Sequence, residues 1–217
     1  MCGRYTLKHD IQAIAQEFHV APSLQTAPRY NIAPTQEVVS VLQNGDAHLE
    51  LLRWGLIPSW AKEESIGSKM INARAESLTE RRAFRDSLQT RRCVILANGY
   101  YEWKVVGKSK APFYFRLNDG RAFGLAGLWD AWKDADGQVI RTCTIITTEP
   151  NELMASIHTR MPAILSRDAR EIWLDTAIRD EHALLPLLAP YPTDQMSVRP
   201  VSRLVNDPRR EGAELIA

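Results

Sequence analysis

Apolar and polar positions change period several times along the chain, and each change marks an element. In "DIQAIAQEF", Ile11, Ile14, Ala15 and Phe18 recur at helical spacing, and Asp10 precedes them as an N-cap. A proline-punctuated loop, "APRYNIAPTQ", follows. "EVVSVLQNGDAHLELLRWGLI" then predicts two strands around a turn at Asn44-Gly45. "SLTERRAFRDSLQ" returns to the helical period, with Ser77 and Glu80 spaced as a capping box. The middle of the chain is strand-rich. "RRCVILANGYYEWKVV" predicts two strands broken at Asn98-Gly99, and "PFYFRLNDGRAFGLAGLW" predicts a hairpin about Asp119-Gly120. "DGQVIRTCTIITT" continues as strand. Short helices are predicted at "NELMASIH" and, capped by Ser166, at "SRDAREIWLD". "EHALLPLLAP" predicts a proline-kinked helix and "MSVRPVS" a last strand. Strands joined mostly by hairpins, with helices at the edges, predict an α+β fold. The expected architecture is a single domain with a mixed or antiparallel, barrel-like β-sheet and peripheral helices. Alternating βαβ units are not evident, which argues against a doubly wound sheet.

Composition narrows the function classes. The 217 residues are 45% hydrophobic and 24% charged, enough for one sizeable core or two small ones. The formal net charge is +1, so an anionic partner must be held by local clusters of basic residues rather than by a chain-wide field. Three cysteines without CxxC or Cys/His spacing predict neither a disulfide framework nor a metal site. No cofactor is expected. The first residues lack an apolar signal core, and runs such as "CVILA" are too short to span a membrane. A cytoplasmic location is therefore expected, nucleoid-associated in a bacterium or nuclear in a eukaryote. "GRAFGLAG" has the wrong glycine spacing for a dinucleotide fingerprint, and Walker A, GxSxG and HExxH motifs do not occur.

Candidate chemistry starts at "MCGRYT". Removal of Met1 would leave Cys2 with a free α-amine beside its thiol. An α-amine titrates near about 7.7–8.0, against about 10.4 for lysine, and so is a ready nucleophile near neutral pH. A 1,2-aminothiol condenses with an aldehyde to an imine, and the thiol then closes a five-membered thiazolidine. Alternatively, an N-terminal nucleophile uses its own amine as base for amide hydrolysis. Three further segments carry polar residues suited to such a site. "INARAES" sets Asn72 and Arg74 on one face of an extended segment. "NGYYEWK" places Glu102 among aromatics, where a carboxyl suits proton transfer, although alternation alone puts it on the solvent face. "SIHTRMPAIL" holds His158 and Arg160. Trp60 in "WGLIPSWAK" is a candidate for base stacking. "RRAFRDSLQTRRC" is arginine-rich, suited either to phosphates or to a solvated helix face.

Taken in order, "MCGRYT", "PRYNIAPTQ", "LRWGLIPSWAK", "INARAES", "RRCVILANGYYEWK" and "IHTRMPAIL" resemble the SRAP (SOS response-associated peptidase) family. The resemblance runs from Cys2 to nearly the last residue and implies one SRAP domain over residues 2–217. It implies recognition of abasic sites in single-stranded DNA and a covalent DNA–protein crosslink that shields the lesion. By this likeness Cys2 is the crosslinking residue, with Asn72 positioning it. Glu102 and His158 move protons in ring opening, imine chemistry and crosslink reversal. Arg4, Arg74 and Arg160 match phosphate-holding positions, and Pro34 and Trp60 lie in loops flanking the DNA. Some members have two adjacent tryptophans where this chain has Trp60-Ala61. The family name implies a peptidase or lyase class of activity, for which autocatalytic removal of Met1 is the most the chemistry suggests. A monomer without metal or membrane association is expected. The alternatives are an N-terminal-nucleophile amidohydrolase, with Asn98-Gly99 as oxyanion donors, a peptidase, and a non-covalent single-strand binder.

Overall fold

The structure, a computed structural model, describes residues 2–217. It opens with β1 (Tyr5–Leu7) and α1 (Ile11–Glu17), whose buried face is Ile11, Ile14 and Ala15 and whose cap Asp10 accepts from the Gln12 N–H at 2.6 Å. Next come β2 (Arg29–Ile32), β3 (Glu37–Asn44) and β4 (Asp46–Trp54). Gly45 makes the β3–β4 turn at φ +83°, a conformation glycine adopts without steric cost. β5 (Asn72–Arg74) leads through a 3-10 turn into α2 (Arg82–Thr90). Five long strands follow: β6 (Arg92–Ala97), β7 (Gly99–Val106), β8 (Ser109–Leu117), β9 (Phe123–Lys133) and β10 (Val139–Thr148). The last third holds α3 (Glu152–Ala155), β11 (Met161–Pro162), β12 (Ile164–Leu165), α4 (Arg167–Leu174), α5 (Glu181–Leu184) and β13 (Met196–Pro200).

Strands β4, β3, β6, β9 and β10 pair in that order, and a parallel contact of β10 with β4 (Cys143 opposite Trp54) closes the ring. The α+β, barrel-like expectation is thus met by a closed five-stranded mixed barrel. Beyond its short contact with β4, β10 pairs with β5 and β11, which extend the wall. A second, antiparallel sheet has the order β13-β8-β7-β1-β2. Tyr5 of β1 meets Trp54 of β4 edge-on, ring centroids 5.5 Å apart, and so ties this sheet to the barrel. The far face of the second sheet is covered too. Tyr101 and Tyr114 pack there against Val205, Leu215 and Ile216 of the C-terminal segment.

Three expectations are corrected. The turn at Asp119-Gly120 forms, with Gly120 at φ +72°, but it joins β8 of one sheet to β9 of the other and makes no hairpin. β8 instead pairs with β7 and β13, because its two edges are taken within its own sheet. The capping box is absent: Ser77 ends the 3-10 turn and turns its hydroxyl to the Arg74 carbonyl, and α2 starts later, after Arg81, without a side-chain cap. Glu102 is not on a solvent face. It is only 3% exposed, since β7 is covered on both sides.

Candidate active site

β1 and β7 run antiparallel, with Tyr5 opposite Tyr100 and the Tyr101 N–H bonded to the Arg4 carbonyl at 2.9 Å. This register brings the start of the chain to the strand that carries Glu102. Cys2 is fully buried in the main apolar cluster. Burial first, and then the charge of Glu102, push its thiol up to about 12, partly opposed by a hydrogen bond from the Arg4 backbone. The sulfur is therefore a neutral thiol near pH 7. Tyr5 and Tyr100 interact electrostatically with Cys2, and their buried hydroxyls have no hydrogen-bond partner among the described residues. Nothing in the sequence pattern singled out these two hydroxyls, because tyrosine in a strand reads as core.

A second group of residues gathers on β5 and β10. β5 runs parallel to β10, with Asn72 opposite Ile145 and Arg74 opposite Thr147. The pleat sets Asn72 and Arg74 on one face, Arg74 exposed and Asn72 half-buried. Asn72 Nδ2 donates to the Ile71 carbonyl at 2.9 Å, an oxygen that also accepts from Trp54 Nε1 at 2.7 Å. Asn72 Oδ1 is a buried acceptor with no partner among the described residues. Arg160 reaches the same strand pair. It grips Glu76 with two bonds of 2.6 and 2.9 Å and donates to the Thr147 carbonyl at 2.6 Å. His158 Nδ1 lies 3.0 Å from the Arg160 backbone nitrogen and 3.2 Å from the Arg160 carbonyl oxygen, so the Arg160 backbone orients the ring. The chain of contacts Tyr5–Trp54–Ile71 links this group to the Cys2 group.

The remaining sequence candidates make contacts of their own. The Arg4 guanidinium bonds Asn31 Oδ1 at 2.7 Å and the Val205 carbonyl at 2.8 Å, and it sits over the Trp103 ring. Pro34 begins a turn whose next residue, Thr35, holds φ +74°, a strained value for a β-branched residue. The Thr35 N–H anchors that turn to the Trp54 carbonyl at 2.8 Å. Trp60 is 45% exposed on its loop. The oxyanion reading of Asn98 loses support, because the Asn98 N–H donates to the Thr6 carbonyl at 2.8 Å. Among the described residues, no group of three His, Cys, Asp or Glu is placed to hold a metal, and no helix is long and apolar enough to cross a membrane. The expected loss of Met1 concerns a residue outside those described.

Residues 1–208 of this chain match the family model described as SOS response associated peptidase (SRAP). The chain belongs to that family. It is similar to the Bacillus subtilis protein named abasic site processing protein YoqW, 45% identical over 221 residues, which cover 100% of this chain and 99% of that one. It is also similar to the Xenopus tropicalis protein named abasic site processing protein HMCES, 32% identical over 90% of this chain and 66% of the relative. The SRAP chain superposes on a crystal structure of a protein from Bacteroides thetaiotaomicron with a TM-score of 0.91 and 26% identity, covering 99% and 98% of the two chains.

Proposed function

We propose that this chain recognises abasic sites in single-stranded DNA and captures them as a thiazolidine through Cys2 once Met1 is removed. One observation carries the reading: Cys2, the second residue of an SRAP chain, is buried within electrostatic reach of the buried carboxylate of Glu102. The names of the relatives support the substrate class.

Burial of the thiol sets the order of steps. A thiol pushed up to about 12 does not attack first, whereas an α-amine near about 7.7–8.0 is partly unprotonated. The Cys2 amine adds to the C1′ aldehyde of the ring-opened deoxyribose, and loss of one water gives the imine. The sulfur then adds to the imine carbon, and the thiol proton goes to the nitrogen. Glu102 supplies and accepts the protons for ring opening and for the departing hydroxyl. His158 exchanges protons on the deoxyribose side and in reversal. Asn72 uses its free Oδ1 to orient the amine. Arg74 and Arg160 hold phosphates about the lesion, Arg160 sharing its charge with Glu76. The Pro34 turn borders the strand. Arg4 acts behind the site, fixing the strand that presents Cys2.

The test uses protein with its native N-terminus and a single-stranded oligonucleotide carrying one abasic site, run on a denaturing gel. A shifted band is expected for the wild type and absent for Cys2→Ala. Glu102→Gln is expected to slow its appearance about 100-fold. A band that persists in Cys2→Ala, or none with the wild type, rejects the reading.

A further inference from the structure

Tyr5, Tyr100, Tyr101, Tyr114 and Tyr191 are all buried, but their hydroxyls are not treated alike. On the far face of the second sheet, Tyr101 donates to the Tyr30 carbonyl at 2.8 Å, and Tyr114 shares a bond of 2.9 Å with Thr6 Oγ1. Tyr191, outside that sheet, donates to Gln195 Oε1 at 3.2 Å. Tyr5 and Tyr100 belong instead to the main apolar core, and among the described residues neither hydroxyl has a hydrogen-bond partner. Depth does not separate the two sets, since Tyr100 and Tyr101 are both fully buried. A buried hydroxyl has given up its bonds to water, so an unpaired one is a donor held in reserve at a cost to stability.

The surroundings of Tyr100 say what that reserve is for. Tyr100 and Glu102 are two residues apart on β7 and so share a face. Tyr100 lies opposite Tyr5, which follows Cys2 by three residues. The Tyr100 ring stacks on Phe115, centroids 5.0 Å apart and planes at 6°, which fixes the plane of the phenol. Burial first, and then the charges of Cys2 and Glu102, hold its hydroxyl well above the ordinary range, so it keeps its proton near neutral pH. Tyr5 is placed differently. Its ring meets Trp54 edge-on, and its foremost charged neighbour is Cys143 of the barrel, with Cys2 the weakest. The need for a donor lies at the Cys2 sulfur. Burial leaves any negative charge there without water, as its rise to about 12 records, and a fixed O–H is what a developing thiolate lacks.

We infer that the Tyr100 hydroxyl donates a hydrogen bond to the Cys2 sulfur while the C1′–S bond of the thiazolidine forms and breaks, with Phe115 as its positioning residue. This role deepens the proposed capture by Cys2 and rests on it. In closing, a sulfur lone pair bonds to C1′, the C=N π pair moves to nitrogen, and the thiol proton follows it. In opening, the C–S pair returns to sulfur, the nitrogen lone pair remakes C=N, and the N–H proton goes back to sulfur. Tyr100 keeps its own proton throughout. One donor serves both directions, so it speeds closing and opening alike and leaves their ratio unchanged.

Borohydride reduces an imine to a stable amine and leaves a thiazolidine untouched, so quenching the abasic-site reaction with it and weighing the digested product separates open from closed crosslink. Tyr100→Phe is expected to close the ring about 10-fold more slowly, and to open it about 10-fold more slowly in a chase with unlabelled abasic strand. The borohydride-trapped share at early times then rises. Tyr5→Phe is expected to change both rates less than about 3-fold. Loss of an unpaired hydroxyl breaks no bond of the folded protein, so the melting midpoint of Tyr100→Phe should match or exceed that of the wild type. A merely structural phenol would move the midpoint and not the trapped share. Wild-type rates in Tyr100→Phe, or equal slowing in Tyr5→Phe, would overturn the inference. Formaldehyde, which needs no DNA, separates the two possible failures. If the wild type closes a ring on formaldehyde at Cys2, more slowly in Tyr100→Phe, yet captures no abasic strand, the donor role stands and the capture reading falls. Formaldehyde closure at equal rates in the two proteins, or no ring with either aldehyde, rejects the donor role.

Discussion

Cys2, Cys93 and Cys143 are all fully buried, and burial is the first cause that holds each thiol above its ordinary range. In the unfolded chain these thiols return to about 8.5. Because their folded pKa values are raised, their contribution to stability is complete below about pH 8.5 and is lost as pH rises above it. Each thiol then removes about 1.4 kcal/mol per pH unit. Urea midpoints should therefore fall between pH 8 and pH 10, and Cys93→Ala with Cys143→Ala should flatten that fall. An equally steep fall in the double variant would contradict it. The same burial separates what was legible at single residues from what was not. The identity of Cys2, Asn72, Glu102 and His158 as candidates came from segment motifs in the sequence. The depth of Glu102 did not, because alternation distinguishes two faces of a strand and cannot tell that both are covered, the Tyr101 face by the C-terminal segment and the face shared by Tyr100 and Glu102 by the main core.

Among the elements, the arginine-rich stretch shows how one sequence pattern serves opposite ends. Arg82 is exposed against Trp60, while Arg92, ten residues on, is 2% exposed. The Arg92 guanidinium donates to the carbonyls of Leu88 and Gln89 at the end of α2. It also donates to those of Trp173, Asp175 and Ile178 at and beyond the end of α4. Backbone carbonyls left over at two helix ends thereby find donors in one side chain. Arg92→Leu is expected to cost about 3–5 kcal/mol, since it strands buried acceptors, and Arg85→Leu, on the exposed face, less than about 0.5 kcal/mol. Chemical denaturation of the two variants measures this, and equal small losses would refute the clamp. Periodicity predicted α1, the β3–β4 hairpin, the break at Asn98-Gly99 and the Ser166 cap, because those signals are local. It failed at the Asp119-Gly120 turn, where turn chemistry was right but the choice of partner strand belongs to the two sheets.

At the scale of the whole molecule, the closure of the barrel by a short parallel contact between β4 and β10 is the feature least visible in the chain. It depends on strands far apart in sequence. Yet it matters to the site, because β4 ends at Trp54 and β10, past that contact, pairs with β5. The ring thus sets Tyr5, Trp54, Ile71 and Asn72 in one line of contacts. The second sheet adds Cys2 and Glu102 from the other side. With a net charge of +1, the molecule offers DNA no general field, only separate arginines such as Arg74 and Arg82. On the proposed function, recognition of a site without a base ends in the chemistry of the Cys2 aminothiol.

The decisive measurement is the intact mass of the product formed between the native protein and an oligonucleotide bearing one abasic site, followed by fragmentation. Capture as a thiazolidine predicts a mass equal to the protein without Met1 plus the oligonucleotide less one water, stable without reductant and localised to Cys2. A product attached to a lysine, a product seen only after reduction, or no covalent product at all would contradict the account.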